Sequence, residues 1–197
     1  GAKVASRSVA LMRANEVTGD RRWLETSKGL LETLYAWQDG DIEKLRRLAP
    51  SLAGQWQENF KEGLGKSSWE CAVVWNALQY YQRLSGHRSI LPRMQRSAQW
   101  LYQNPKVWNS ERKEFVGSPR AALVLAPGLA ALFEETGNEQ FLEQARGVFQ
   151  KALETRPPIE DPGLFGSVFT AGQYFPWFLS KEFQPGTKRD VSSLIAP

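Results

Sequence analysis

Apolar residues recur along this chain at steps of three and four, the spacing that gathers side chains on one side of an α-helix. The clearest stretch follows Gly137. Phe141, Leu142, Ala145, Val148, Phe149, Ala152 and Leu153 fall on one side, and Glu143, Gln144, Arg146, Gln150 and Lys151 fall on the other. A helix of this kind packs along a single stripe. The segment before it, residues 121–133, is apolar on every side, as a helix enclosed by neighbours must be. Pro127 within that segment removes a backbone donor and crowds the preceding turn, which predicts a kink.

The same two-part pattern occurs three times, over residues 9–37, 73–102 and 123–153. In each, an apolar helix runs into a glycine able to adopt the left-handed cap conformation (Gly19, Gly86, Gly137), and a short polar residue then opens a second helix. These are helical hairpins with an inner and an outer member. In the second, Val73, Val74, Trp75, Leu78, Tyr80 and Tyr81 mark the inner helix, and Met94, Ala98, Trp100 and Leu101 mark its outer partner. Residues 167–183, rich in aromatics, read as a fourth inner helix with no outer partner. The prediction is an all-α chain of about three and a half antiparallel hairpins, one helical-repeat domain over residues 1–197.

Connections alternate in length. Turns within hairpins take about three residues, whereas the links between hairpins occupy about residues 38–69, 104–119 and 155–166. Every long link joins the end of an outer helix to the start of the next inner one, so all of them emerge at one end of the array. Loops held by a rigid scaffold are favoured places for binding residues. The first link is the longest and contains a further predicted helix, capped by Asp41 and apolar along Ile42, Leu45, Leu48 and Leu52. That insertion accounts for the 67 residues separating Gly19 from Gly86, against 51 from Gly86 to Gly137.

Composition narrows the function classes. The chain has 42% hydrophobic and 23% charged residues, close to an ordinary globular domain. The longest apolar run, residues 121–131, is half of what a membrane crossing needs and is broken by Pro127 and Gly128. The net charge of +4 comes from 25 basic and 21 acidic residues spread along the chain, without the concentrated stripe of a nucleic-acid binder. Cys71 is the only cysteine, and among apolar neighbours it reads as packing; His87 is the only histidine and falls in a short turn away from the links. Histidine-based catalysis and cysteine- or histidine-rich metal sites are thereby left almost without material, and no cofactor or metal is expected. Residues 63–67, GLGKS, imitate the end of a phosphate-binding loop, but Phe60 stands where that motif needs its first glycine and no strand precedes it.

Two segments resemble a known family. LFEETGNEQFLEQA at residues 132–145 and VWNSERKEFV at residues 107–116 are similar to the hairpin turn and to the W-D-P-E-x-G-G-F link of α/α-toroid proteins. These include glycoside hydrolases of unsaturated uronides, N-acylglucosamine 2-epimerase-like proteins and glycosidase-like bacterial proteins. The resemblance implies half of an α/α-toroid, a carbohydrate-active role, a saccharide ligand and a secreted or periplasmic location. Such toroids close with about six hairpins. A chain with three and a half would be the C-terminal portion of a longer one, a unit completed by self-association, or an open arc.

Candidate site residues follow from the link end. Eight tryptophans are present, and Trp56, Trp69 and Trp108 fall on the links, where flat indoles can stack on sugar rings. Glycosidases need two carboxylates about 5 to 9.5 Å apart. Glu70, in the first turn of the second inner helix, and Asp161, on the third link, are the candidate catalytic pair, with Glu114 in reserve. Arg120, opening the third inner helix, could clamp a uronate carboxylate. The competing expectation is a non-catalytic helical-repeat scaffold that binds a protein or peptide in its groove. There Glu70 merely complements a helix dipole, Asp161 starts an Asp-Pro turn, and the tryptophans pack links onto helices.

Overall fold

A computed structural model describes residues 1–154; the third link with Asp161 and the fourth inner helix expected over residues 167–183 lie outside the described residues. Over these residues the chain is all-α apart from one two-stranded hairpin. Its helices are α1 (Ala2–Thr18), α2 (Arg22–Asp39), α3 (Ile42–Leu48), α4 (Pro50–Ala53), α5 (Ser68–Ser85), α6 (Leu91–Gln103), α7 (Pro119–Thr136) and α8 (Glu139–Glu154). The strands β1 (Trp108–Asn109) and β2 (Glu114–Phe115) lie between α6 and α7 and pair antiparallel.

The turn glycines behave as their positions require. Gly19, Gly86 and Gly137 have φ of 69°, 71° and 67°, and the N–H of each closes the preceding helix on the carbonyl four residues back. A residue with a Cβ is strained there, so these three glycines fold the chain back on itself.

Packing sorts the helices into two rows. The inner row runs α1, α5, α7, each helix beside the next; α2 and α8 pack on their hairpin partners, and α6 lies against α5 and α7. The inner helices stand in register. Near their starts, the Ser118 N–H donates to Ser68 Oγ at 3.4 Å, joining the beginnings of α5 and α7. At the far end of α1 and α5, the Tyr80 hydroxyl donates to Glu16, and the guanidiniums of Arg13 and Arg83 lie 4.8 and 4.6 Å from the Tyr80 ring. Halfway along, the Trp75 indole rests on Gly128 of α7, where an added Cβ would come within 2.5 Å of the ring. Trp75 Nε1 also donates to buried Ser97 on α6 at 3.0 Å, so one indole joins three helices.

The outer row is offset instead. Arg93, near the start of α6, meets Tyr35, Gln38 and Asp39 near the end of α2; Gln144, near the start of α8, donates to Ala98 O on α6 at 3.2 Å. This stagger opens a wedge between successive outer helices at the link end, and the links fill those wedges.

Candidate functional site

The first link begins where α2 ends, at Gly40 (φ 70°). Asp41 caps α3 as expected, accepting the Lys44 N–H at 2.9 Å, and Leu45 is fully buried. The expected apolar stripe does not continue. Leu48 is 47% exposed, because Ala49 turns extended (φ −154°) and Pro50 starts the separate helix α4. The link then runs along α6. The buried Gln38 amide donates to Glu62 O and Arg93 O at 2.9 and 2.8 Å, and Arg96 reaches Asp39 and Glu62 at 2.8 and 3.2 Å. Partial burial works to raise the Asp39 carboxyl, but hydrogen bonds from Arg93 and Arg96 hold it below its ordinary value.

Two tryptophans fasten this link. The ring of Trp100, on α6, covers Gly63, where a Cβ would lie 2.9 Å from it, and its Nε1 donates to Asn59 O at 3.0 Å. Trp56 lies over Gly40, again with 2.9 Å to an added Cβ, and donates to Trp37 O at 2.9 Å. Its indole edge is therefore engaged with α2.

The second link is the β-hairpin. Asn109 Oδ1 accepts from the Glu111 and Arg112 N–H groups, both at 3.1 Å, and builds the turn. Lys113 takes a left-handed conformation (φ 52°) where the resembling link pattern carries glycine. Its ammonium is tied to Glu143 of α8 at 2.8 Å, and the Tyr102 hydroxyl donates to the same carboxylate at 2.9 Å. The Lys113 hydrogen bond, with help from Tyr102 and against partial burial, lowers the Glu143 pKa. Trp108 is only 3% exposed. One neighbour is Tyr102, stacked at 5.3 Å; another is Gly147 on α8, whose added Cβ would meet the indole at 2.6 Å. With its ring covered, Trp108 is removed from the set of sugar-stacking candidates. Glu114 is exposed on β2, beside a groove of about 270 Å³ that Arg112, Lys113 and Gly147 also line.

Glu70 and Trp69 sit side by side at the start of α5. Ser67 Oγ accepts the Glu70 N–H at 3.3 Å, and Glu70 Oε2 accepts the Lys66 N–H at 3.0 Å. This reciprocal arrangement is a capping box shifted by one residue, and the Ser-x-x-Glu spacing of residues 67–70 signals it in the sequence. Gly65 tightens it further, since a Cβ there would lie 2.5 Å from Glu70 Cβ. Trp69 is 38% exposed, the most open of the three candidate indoles. Arg120 stands in the first turn of the neighbouring α7.

Compared with known proteins, the chain matches no family model, no curated protein and no solved structure. The structure brings Trp69, Glu70 and the α7 turn carrying Arg120 to neighbouring helix starts, while Trp56 and Trp108 are held against α2 and α8. Cys71 is fully buried, which pushes its thiol up to about 12 and leaves it protonated. His87 lies at the opposite end, stacked on Tyr81 at 6.2 Å. Among the described residues, no group of three or more His, Cys, Asp or Glu could hold a metal, and no helix is long and apolar enough to cross a membrane.

The ionic clusters Asp39–Arg93–Arg96 and Glu16–Tyr80–Arg13–Arg83 were not signalled by any motif. Each joins residues more than fifty positions apart, the first through the offset of α2 and α6 and the second through the register of α1 and α5.

Proposed function

We propose that this chain is a hairpin module of the α/α-toroid kind that binds a saccharide at its link end, with Trp69 as the stacking platform. One observation carries the reading: both described links lead into neighbouring helix starts, α5 and α7, and Trp69 in the first turn of α5 is 38% exposed. A half-exposed indole offers a flat apolar face to the C–H groups of a sugar ring and a polar edge to its hydroxyls. A uronate would suit Arg120 in the first turn of the neighbouring α7, and Glu114, on the hairpin beside α8, would meet a longer saccharide only at its far end.

Hydrolysis by Glu70 and Asp161 is a separate part of this proposal. Glu70 would have to release the Lys66 N–H before its carboxylate could move a proton. A glycan array followed by titration of intrinsic fluorescence tests binding. The expected result is a saccharide ligand whose affinity falls at least about tenfold in Trp69→Ala, the equivalent of about 1.4 kcal/mol. Absence of any glycan ligand, or equal binding by Trp69→Ala, would overturn it.

The second reading, a non-catalytic scaffold for a protein or peptide, is favoured by one specific fact. Glu70 and the rings of Trp56 and Trp108 already serve as cap and packing. Recovery of a peptide ligand that competes at Trp69, with no glycan bound, would select it.

A further inference from the structure

A recess lies away from the links, where the α5–α6 turn of the second hairpin rests against the second half of α2. It is a cleft of about 200 Å³ between the first and second hairpins. Leu31, fully buried, forms its floor, and the rings of half-buried Tyr35 and buried Tyr81 form apolar walls. His87 extends the Tyr81 wall, its ring stacked on Tyr81 at 6.2 Å with 8° between the planes. Size and walls suit a single planar ring, since an apolar cavity of about 150 Å³ holds a benzene molecule.

The polar groups around this cleft sort by whether they are already engaged. Arg93 lays its guanidinium 4.7 Å from the Tyr35 ring, but its charge is paired with Asp39. Glu32, the carboxylate in the lining, is held by Lys44 at 2.6 Å. Glu25, whose field also reaches the Tyr81 hydroxyl, does not line the cleft. That leaves Lys28, whose ammonium has no ion pair among the described residues, as the uncompensated charge of the lining. The Tyr35 hydroxyl and the His87 ring likewise have no hydrogen-bond partner among the described residues. Burial pushes the Tyr35 phenol up to about 12 against the pull of Arg93, so the hydroxyl remains a donor. An ammonium, a phenol and an imidazole around an apolar recess form a set of donors that a carboxylate satisfies.

We propose that the cleft between α2 and the α5–α6 turn binds a small aromatic carboxylate, with its ring against Tyr35 and Tyr81 and its carboxylate on Lys28. The Tyr35 hydroxyl and the His87 ring add neutral hydrogen bonds to the same group. His87 lies at the end opposite the links, so the inference is independent of Trp69 and of any saccharide ligand.

His87 is the only histidine in the chain, and its ring C–H signals report on the cleft directly. Proton NMR of the intact chain at constant pH tests the proposal, with benzoate and phenylacetate added to about 10 mM and their primary amides as uncharged counterparts. Lys28 is exposed, so Lys28→Gln removes the charge without disturbing the core. Tyr35→Phe keeps the ring and removes only the hydroxyl donor. The expected result is a saturable shift of the His87 signals with at least one carboxylate, and binding at least about tenfold weaker for its amide and in Lys28→Gln. Tyr35→Phe should weaken binding at least about threefold. Absence of a saturable shift with either carboxylate, amide binding as tight as that of the carboxylate, or unchanged affinity in Lys28→Gln would overturn the proposal.

Discussion

The two described links solve one packing problem in opposite ways. Each fills the wedge beside the following outer helix with an indole seated on a glycine. In the first link the helix supplies the tryptophan and the link the glycine, Trp100 on Gly63; in the second the link supplies the tryptophan and the helix the glycine, Trp108 on Gly147. The consequences differ. A tryptophan carried by the link is nearly sealed, with Tyr102 on one face, whereas Trp100 at the helix surface is only half-buried. The second link has Trp108 as its largest buried side chain, with the Lys113–Glu143 ion pair at the surface beside it. The first is also held by Gln38, Arg96 and Trp56, so its attachment is spread over many contacts.

That difference sets the ranking of substitutions. Trp108→Ala should cost about 3 to 5 kcal/mol, as expected for emptying a buried aromatic site, when measured by urea denaturation. Trp100→Ala should cost less, about 1 to 3 kcal/mol, since part of the ring is already in water and its neighbours remain tethered. Equal losses would mean that the two links are fastened equally. Gly29→Ala, on α2 where an added Cβ meets no atom within 4 Å, should stabilise by about 0.5 to 1 kcal/mol, with a raised thermal midpoint as the readout. The smallest expected effect is on pH dependence. The folded Asp39 carboxyl titrates below its unfolded value of about 3.9, so its contribution is present above that value and is lost as pH falls through the folded pKa. Asp39→Asn should flatten the decline of stability in that acid range and leave the slope near neutrality unchanged.

Much of the fold was legible because its signals are local. The turn glycines, the amphipathic stripe of α8, the all-round apolar α7 and the Asp41 cap each depend on residues within a turn or two. The run of Ile42, Leu45, Leu48 and Leu52 misled for an equally local reason, since Pro50 ends α3 before the stripe is complete. The candidate site was less legible. Trp56, Trp69 and Trp108 look alike in sequence, and only the position of a distant glycine decides which indole is covered. Gly147 reads as a weak point in a helix until Trp108 is placed on it. Glu70 does carry a local signal, because Ser67 three residues earlier announces a cap.

An indole seated on a glycine fastens each described link to the next outer helix. A double-mutant cycle on Trp108 and Gly147 tests it most directly, using Trp108→Ala, Gly147→Leu and the double variant under urea denaturation. Leucine at position 147 should clash with the indole in the single variant and partly refill the space left by alanine in the double one. The double variant should lose at least about 1 kcal/mol less than the sum of the two single losses. Additivity within about 0.5 kcal/mol would contradict it.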